Sequence, residues 1–204
     1  MLIGLDFDNT LASYDEVFLY LAKKKGIVGD DWYGNKLQLR DYLRAQLNGE
    51  FEWQKLQGKV YGKWMHKAKL FNGVKDFLIQ CRNRKISVCI VSHKTKYGIH
   101  DEEKVSLREE ALKWMNVQGF FSELGIDKDR VFFESTKEDK IKKIQELNCS
   151  HHIDDLIEIL THPEFPKSAK KIFFSEAQNN NDAKEIHTFN NWHDLSVEYL
   201  KNVK

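Results

Sequence analysis

The chain alternates short apolar runs with longer amphipathic stretches. Leu2-Ile3-Gly4-Leu5 is apolar and stops at acids, which reads as a buried strand. Comparable runs lie at 86–91, at 130–133, just before Asp154, at 171–174 and at 186–189. Between them the period becomes helical. Val17, Phe18, Leu21 and Ala22 share a face, as do Leu39, Leu43 and Leu47, then Trp53, Leu56, Val60 and Trp64. Later stretches repeat the pattern with Val74, Phe77, Leu78 and Cys81; with Leu107, Ala111 and Met115; and with Ile141, Ile144 and Leu147. A last helix is expected near 194–202, after a polar loop at 175–182.

Strands alternating with helices imply βαβ units, hence an α/β fold with a three-layer, Rossmann-like core around a parallel sheet. The block 14–70 shows helical periods and no strand pattern, and it interrupts the alternation after the first strand. It is read as a small inserted α-helical cap, which leaves 1–13 and 71–204 as the core.

Composition narrows the classes. At 204 residues, with 41% apolar and 31% charged, the chain can bury a core of its own. A net charge of +1 leaves no electrostatic footprint for nucleic acid. Cys81, Cys89 and Cys149 are odd in number and lack CxxC spacing, against a disulfide framework or a zinc site. No run approaches the roughly 18 apolar residues of a membrane span. The early acids do not suit a secretory signal, so a cytoplasmic location is expected.

In open α/β sheets ligands bind beyond the carboxyl ends of the strands. The polar residues there are Asp6, Asp8 and Thr10, then Ser92, then Asp154 and Asp155, preceded by Lys137 and Lys140. Asp6 and Asp8 are two apart, so both project to one side of an extended chain. Close carboxylates repel, and a hard divalent cation relieves that repulsion. Mg²⁺ suits the site because it takes few carboxylates together with water and phosphate. Asp154 or Asp155 could complete the cation site, Ser92 offers a hydroxyl to a phosphate oxygen, and Lys140 offers a fixed positive charge. Phosphoryl transfer needs this positioning and charge stabilisation above all.

The ordered set resembles the haloacid dehalogenase-like hydrolase superfamily, in its phosphatase branch, over about residues 2–175. Asp6-Phe7-Asp8-Asn9-Thr10 resembles the family's DxDxT, Val91-Ser92 its hydrophobic strand ending in Ser or Thr, Lys140 its basic residue, and Ile153-Asp154-Asp155 its acidic fourth motif. The resemblance implies an Mg²⁺-dependent phosphatase that hydrolyses a phosphate monoester of a small metabolite. Asp6 would be the nucleophile and Asp8 the general acid and base. Mg²⁺ would be held by Asp6, the backbone carbonyl of Asp8 and Asp154, with Asp155 close by. Thr10 would orient the loop, while Ser92, the backbone of His93 and Lys140 would bind phosphate. The presence of Asp8 disfavours haloalkanoate cleavage, because the true dehalogenases lack that acid.

Two positions stay open. Lys137 competes with Lys140 as the basic residue, and Glu158 competes with Asp155 as the later acid. A phosphotransferase or mutase, or a non-catalytic phosphate-binding module, would use the same residues. His151 and His152 are expected in solvent or packing roles. The polar stretch 93–104 is long for a connection. Trp32, Trp53, Tyr61 and Trp64 are expected to be core of the helical block.

Overall fold

The computed structural model describes residues 1–176 and 185–200. The chain forms two compact units. One comprises residues 1–12, 70–94 and 116–204, and the other 13–69 and 95–115.

The first unit carries a six-stranded sheet. Its strands are β1 (Leu2–Leu5), β4 (Ser87–His93), β5 (Val131–Glu134), β6 (His151–Asp154), β7 (Lys170–Phe174) and β8 (Ile186–Phe189). They lie in the order β5-β4-β1-β6-β7-β8, and every pair is parallel. Two two-residue strands, β2 (Ala12–Ser13) and β3 (Lys69–Leu70), pair with each other and had no visible signature in the sequence. A span that short cannot show a period.

Helices cover both faces of the large sheet. On one, Cys89, Val91 and Phe173 pack with Ile141 and Ile144 of α6 (Lys137–Glu146) and with Ile159 and Leu160 of α7 (Ile157–Leu160). On the other, Trp192 of α8 (Trp192–Leu200) lies against Phe77 of α4 (Val74–Asn83) and against Phe174, with ring centroids 5.0 and 5.5 Å apart. This is the three-layer α/β/α core. The central strands are buried on both faces, which is why their sequences read as continuous apolar runs. From β1 the chain builds β4 and β5 on one side, then crosses to β6, β7 and β8 on the other. β1 therefore sits at the topological switch point, where such sheets bind ligands.

The second unit is helical: α1 (Asp15–Lys24), α2 (Lys36–Arg44), α3 (Gly49–Tyr61) and most of α5 (Leu107–Val117). Its core stacks Phe18 on Trp53 at 4.9 Å and sets Tyr14 edge-on to Tyr61 at 4.7 Å. The segment 95–115 was expected in the sheet-bearing core, yet it belongs here. Trp114 Nε1 donates to the Ala68 carbonyl at 2.9 Å. Gly98 lies so close to α3 that a Cβ on it would meet Gly58 Cα at 2.6 Å. An amphipathic period records that a helix has a buried face, not which partner covers it.

Two helices are shorter than their periods suggest. α2 stops at Arg44, because a turn follows with Asn48 at φ 58°, and Leu47 is 93% exposed rather than part of the apolar face. α3 ends at Tyr61 before Gly62, so Trp64 lies outside it. The polar loop expected at 175–182 lies outside the described residues from 177 onward, as do the last residues of the final helix from 201. Among the described residues no helix is long and apolar enough to cross a membrane.

Candidate active site

The end of β1 is shaped by its own loop. The Leu11 and Ala12 amides both donate to the Phe7 carbonyl at 3.0 Å, and the Asn9 amide donates to the Ala12 carbonyl at 2.8 Å. The turn requires a left-handed residue, and Asn9 supplies it at φ 59°. Asp6 extends the ladder, its amide donating to the Ile153 carbonyl at 2.9 Å, which brings it beside the end of β6. Thr136 caps α6 by accepting from the Asp139 amide at 3.0 Å. That fixes the helix start, so Lys140 falls one turn in, fully buried.

Lys140 Nζ lies 2.6 Å from Asp6 Oδ1 and 2.6 Å from Asp154 Oδ2. Asp6 and Asp154 are themselves buried. Asp6, Asp154 and Asp155 each offer an oxygen within 4.8 Å of the others. Lys140 thus pairs with two of these three carboxylates. Burial, partly offset by Lys140 and reinforced by Asp154, pushes the Asp6 carboxyl up to about 6. Burial also works against the charge on Asp154, but Lys140 and His152 outweigh it and hold that carboxyl below its usual range. Burial opposes the charge of Lys140 too, yet Asp154 and Asp6 keep its pKa above the ordinary lysine value. A cluster short of positive charge, built from hard oxygen donors, fits a divalent cation such as Mg²⁺.

Asp8 is outside that set of three, although its charge also helps to raise the Asp6 carboxyl. Both of its carboxylate oxygens accept from Lys94 Nζ, at 3.0 and 2.8 Å. Lys94 is buried, follows β4 directly, and places its ammonium 5.4 Å from the Phe7 ring centroid. In the sequence Lys94 belongs to the polar stretch 93–104, which reads either as a solvated loop or as one that folds over the pocket, and nothing there pairs it with Asp8. A lysine two residues beyond Ser92, at the end of an apolar strand, was the available signal.

Ser92 and Thr10 are buried, and neither hydroxyl has a hydrogen-bond partner among the described residues. Buried polar atoms are nearly always satisfied, so two orphan hydroxyls, one in the loop after β1 and one near the end of the adjacent β4, suit an anion. The His93 ring turns to the Ser135 carbonyl at 3.1 Å. Lys137 and Glu158, the two alternatives left open, pair with each other at 2.5 Å. His152 is buried, as a packing role requires, and in addition its Nε2 lies 2.9 Å from Asp154 Oδ2. A histidine spaced two before a strand-end acid shares its face, and that was the clue.

Solved structures of the same architecture are numerous. A HAD family hydrolase from Deinococcus radiodurans R1, with bound phosphate and sodium, superposes at TM-score 0.60 and 12% identity, over 95% of this chain and 92% of that one. This chain has the haloacid dehalogenase-like fold. CbbY from Rhodobacter sphaeroides, in complex with phosphate, shares it at TM-score 0.57 and 13% identity, covering 95% of both chains. So does a dehalogenase, at TM-score 0.59 and 12% identity over 98% and 97%. No protein-family model matches the sequence, and no curated protein does so significantly. The haloacid dehalogenase-like fold is thus shared at low sequence identity, and a fold alone does not fix an activity.

Proposed function

We propose that the chain is a phosphatase that hydrolyses a phosphate monoester of a small metabolite through an aspartyl phosphate on Asp6. The observation that carries this is the buried Asp6, bound to Lys140 just beyond a switch-point strand, with the hydroxyls of Thr10 in the following loop and of Ser92 near the end of the neighbouring strand both buried and without a hydrogen-bond partner among the described residues. The phosphate in two structural neighbours supports the same ligand chemistry.

Asp6 attacks phosphorus while the bond to the leaving oxygen breaks. Protonated Asp8 gives that oxygen its proton, keeping its other oxygen for Lys94. Water then attacks the aspartyl phosphate, Asp8 takes up the proton, and phosphate leaves with Asp6 restored. Ser92, Thr10 and Lys140 neutralise or bond the phosphoryl oxygens. Asp6, Asp154 and Asp155 would hold Mg²⁺, with the Asp8 carbonyl. The ion would supply the positive charge that the cluster lacks. Asp8 also separates this reading from dehalogenation, which has no leaving alkoxide to protonate.

A panel of phosphorylated small metabolites tests the proposal through phosphate release. Mg²⁺-dependent release, without an added acceptor and lost in Asp6→Asn, is expected. Halide release from haloalkanoates, turnover in EDTA, or normal turnover by Asp6→Asn would each overturn it.

A further inference from the structure

His152 sits in the central strand β6 and is fully buried. An ionised carboxylate can only accept, so Nε2 carries the hydrogen bonded to Asp154 Oδ2. Nδ1 is buried without a hydrogen-bond partner among the described residues. The ring lies across β1 at Gly4, its register partner. A Cβ at Gly4 would sit 2.7 Å from Nδ1 and 3.1 Å from Cys149 Sγ. The sheet thus omits a side chain where this imidazole lies.

The effect falls on Asp154. Its Oδ2 accepts from Lys140 and from His152, and its Oδ1 accepts from the Leu156 amide at 3.0 Å. Oδ2 is saturated and Oδ1 keeps one lone pair. With Lys140 alone, Oδ2 would be tied to an ammonium shared with Asp6, and the carboxylate plane would lose its second anchor. We propose that His152 is a positioning residue that fixes Asp154 for metal binding, and that residue 4 is glycine to admit its ring. This rests on the reading of Asp154 as a metal ligand. Groups that orient a ligating side chain typically contribute about 10–100-fold in metal affinity.

Mg²⁺ titration calorimetry on wild type, His152→Leu, His152→Gln and Gly4→Ala tests it. The melting temperature of each metal-free protein serves as the control for folding. His152→Leu should weaken Mg²⁺ binding about 10–100-fold. His152→Gln should recover most of it, because the Gln amide nitrogen can stand where Nε2 stands. In turnover, His152→Leu should raise the Mg²⁺ concentration needed for half activation while leaving kcat at saturating Mg²⁺ within a few-fold, by the same positioning argument. Wild-type affinity in His152→Leu, or Gln binding no better than Leu, overturns the proposal. If His152→Leu does not fold, Gly4→Ala decides: weaker binding supports it and unchanged binding overturns it. Wild type that binds no Mg²⁺ overturns the metal reading and this inference together, whereas tight wild-type binding with indifferent variants overturns this inference alone.

Discussion

Two acid–lysine contacts, made by acids two residues apart at the end of β1, divide the site. At Asp6 one buried lysine serves two buried carboxylates, with Asp155 nearby. At Asp8 one buried lysine serves one carboxylate, which is 19% exposed, and bonds both of its oxygens. The first group has an excess of negative charge. The second pairs one acid with one lysine through both carboxylate oxygens. Charge balance is thus an independent support for the proposed division, in which the Asp6 side would meet a cation and a phosphoryl group and the Asp8 side would handle proton transfer.

The largest expected effect tests that division directly. Asp8→Asn should lower kcat by about 10²–10⁴, the usual contribution of a positioned acid–base group, while Mg²⁺ affinity stays within a few-fold. Asp154→Asn should do the reverse to affinity, abolishing measurable Mg²⁺ binding by calorimetry. If Asp8→Asn lost the metal as completely as Asp154→Asn, the two groups would be one.

Stability should separate the lysines next. Lys140→Met strands two buried carboxylates, and breaking a buried pair in this way costs about 3–5 kcal/mol. Lys94→Met leaves one partly solvated carboxylate, for which about 1–3 kcal/mol is expected. Urea denaturation of the metal-free proteins measures both. Equal losses would mean that Lys140 is not shared as the distances indicate.

Much of this was legible in the residues. The six strands of the sheet, their parallel pairing and the strand-end positions of Asp6, Ser92 and Asp154 follow from apolar runs that halt at polar residues. What escaped was pairing between side chains. Lys94 sits among Lys96, Tyr97 and His100 in a stretch that looks solvated, and only the distance to Asp8 shows that it turns inward. His152 precedes the acids like any strand residue, and its role depends on Gly4 one strand away. The assignment of 95–115 to the helical unit escaped for a related reason. Its partners are α3 and the Ala68 carbonyl, and no local pattern names a partner.

The smallest expected effect is a pH slope peculiar to the Asp6 side. Folding raises the Asp6 carboxyl from its ordinary 3.8 to about 6, chiefly by burial. Between those values the folded chain binds more protons at Asp6 than the unfolded chain does. Stability then falls as the pH rises through the window, since it increases with pH only where the unfolded state binds more protons. His151 acts oppositely, because burial pushes its pKa down to about 4 and stability from that source rises with pH up to its ordinary 6.5. The two slopes overlap, so wild type alone cannot display either. The difference between wild type and Asp6→Asn removes His151 from the comparison. In metal-free protein, wild type should lose stability relative to Asp6→Asn as the pH rises from 3.8 to about 6, read as the gap between their melting temperatures. Saturating Mg²⁺ should shrink or reverse that gap by favouring the ionised carboxylate. A gap that is flat with pH, or indifferent to Mg²⁺, would mean that the two carboxylates sharing Lys140 are not short of positive charge.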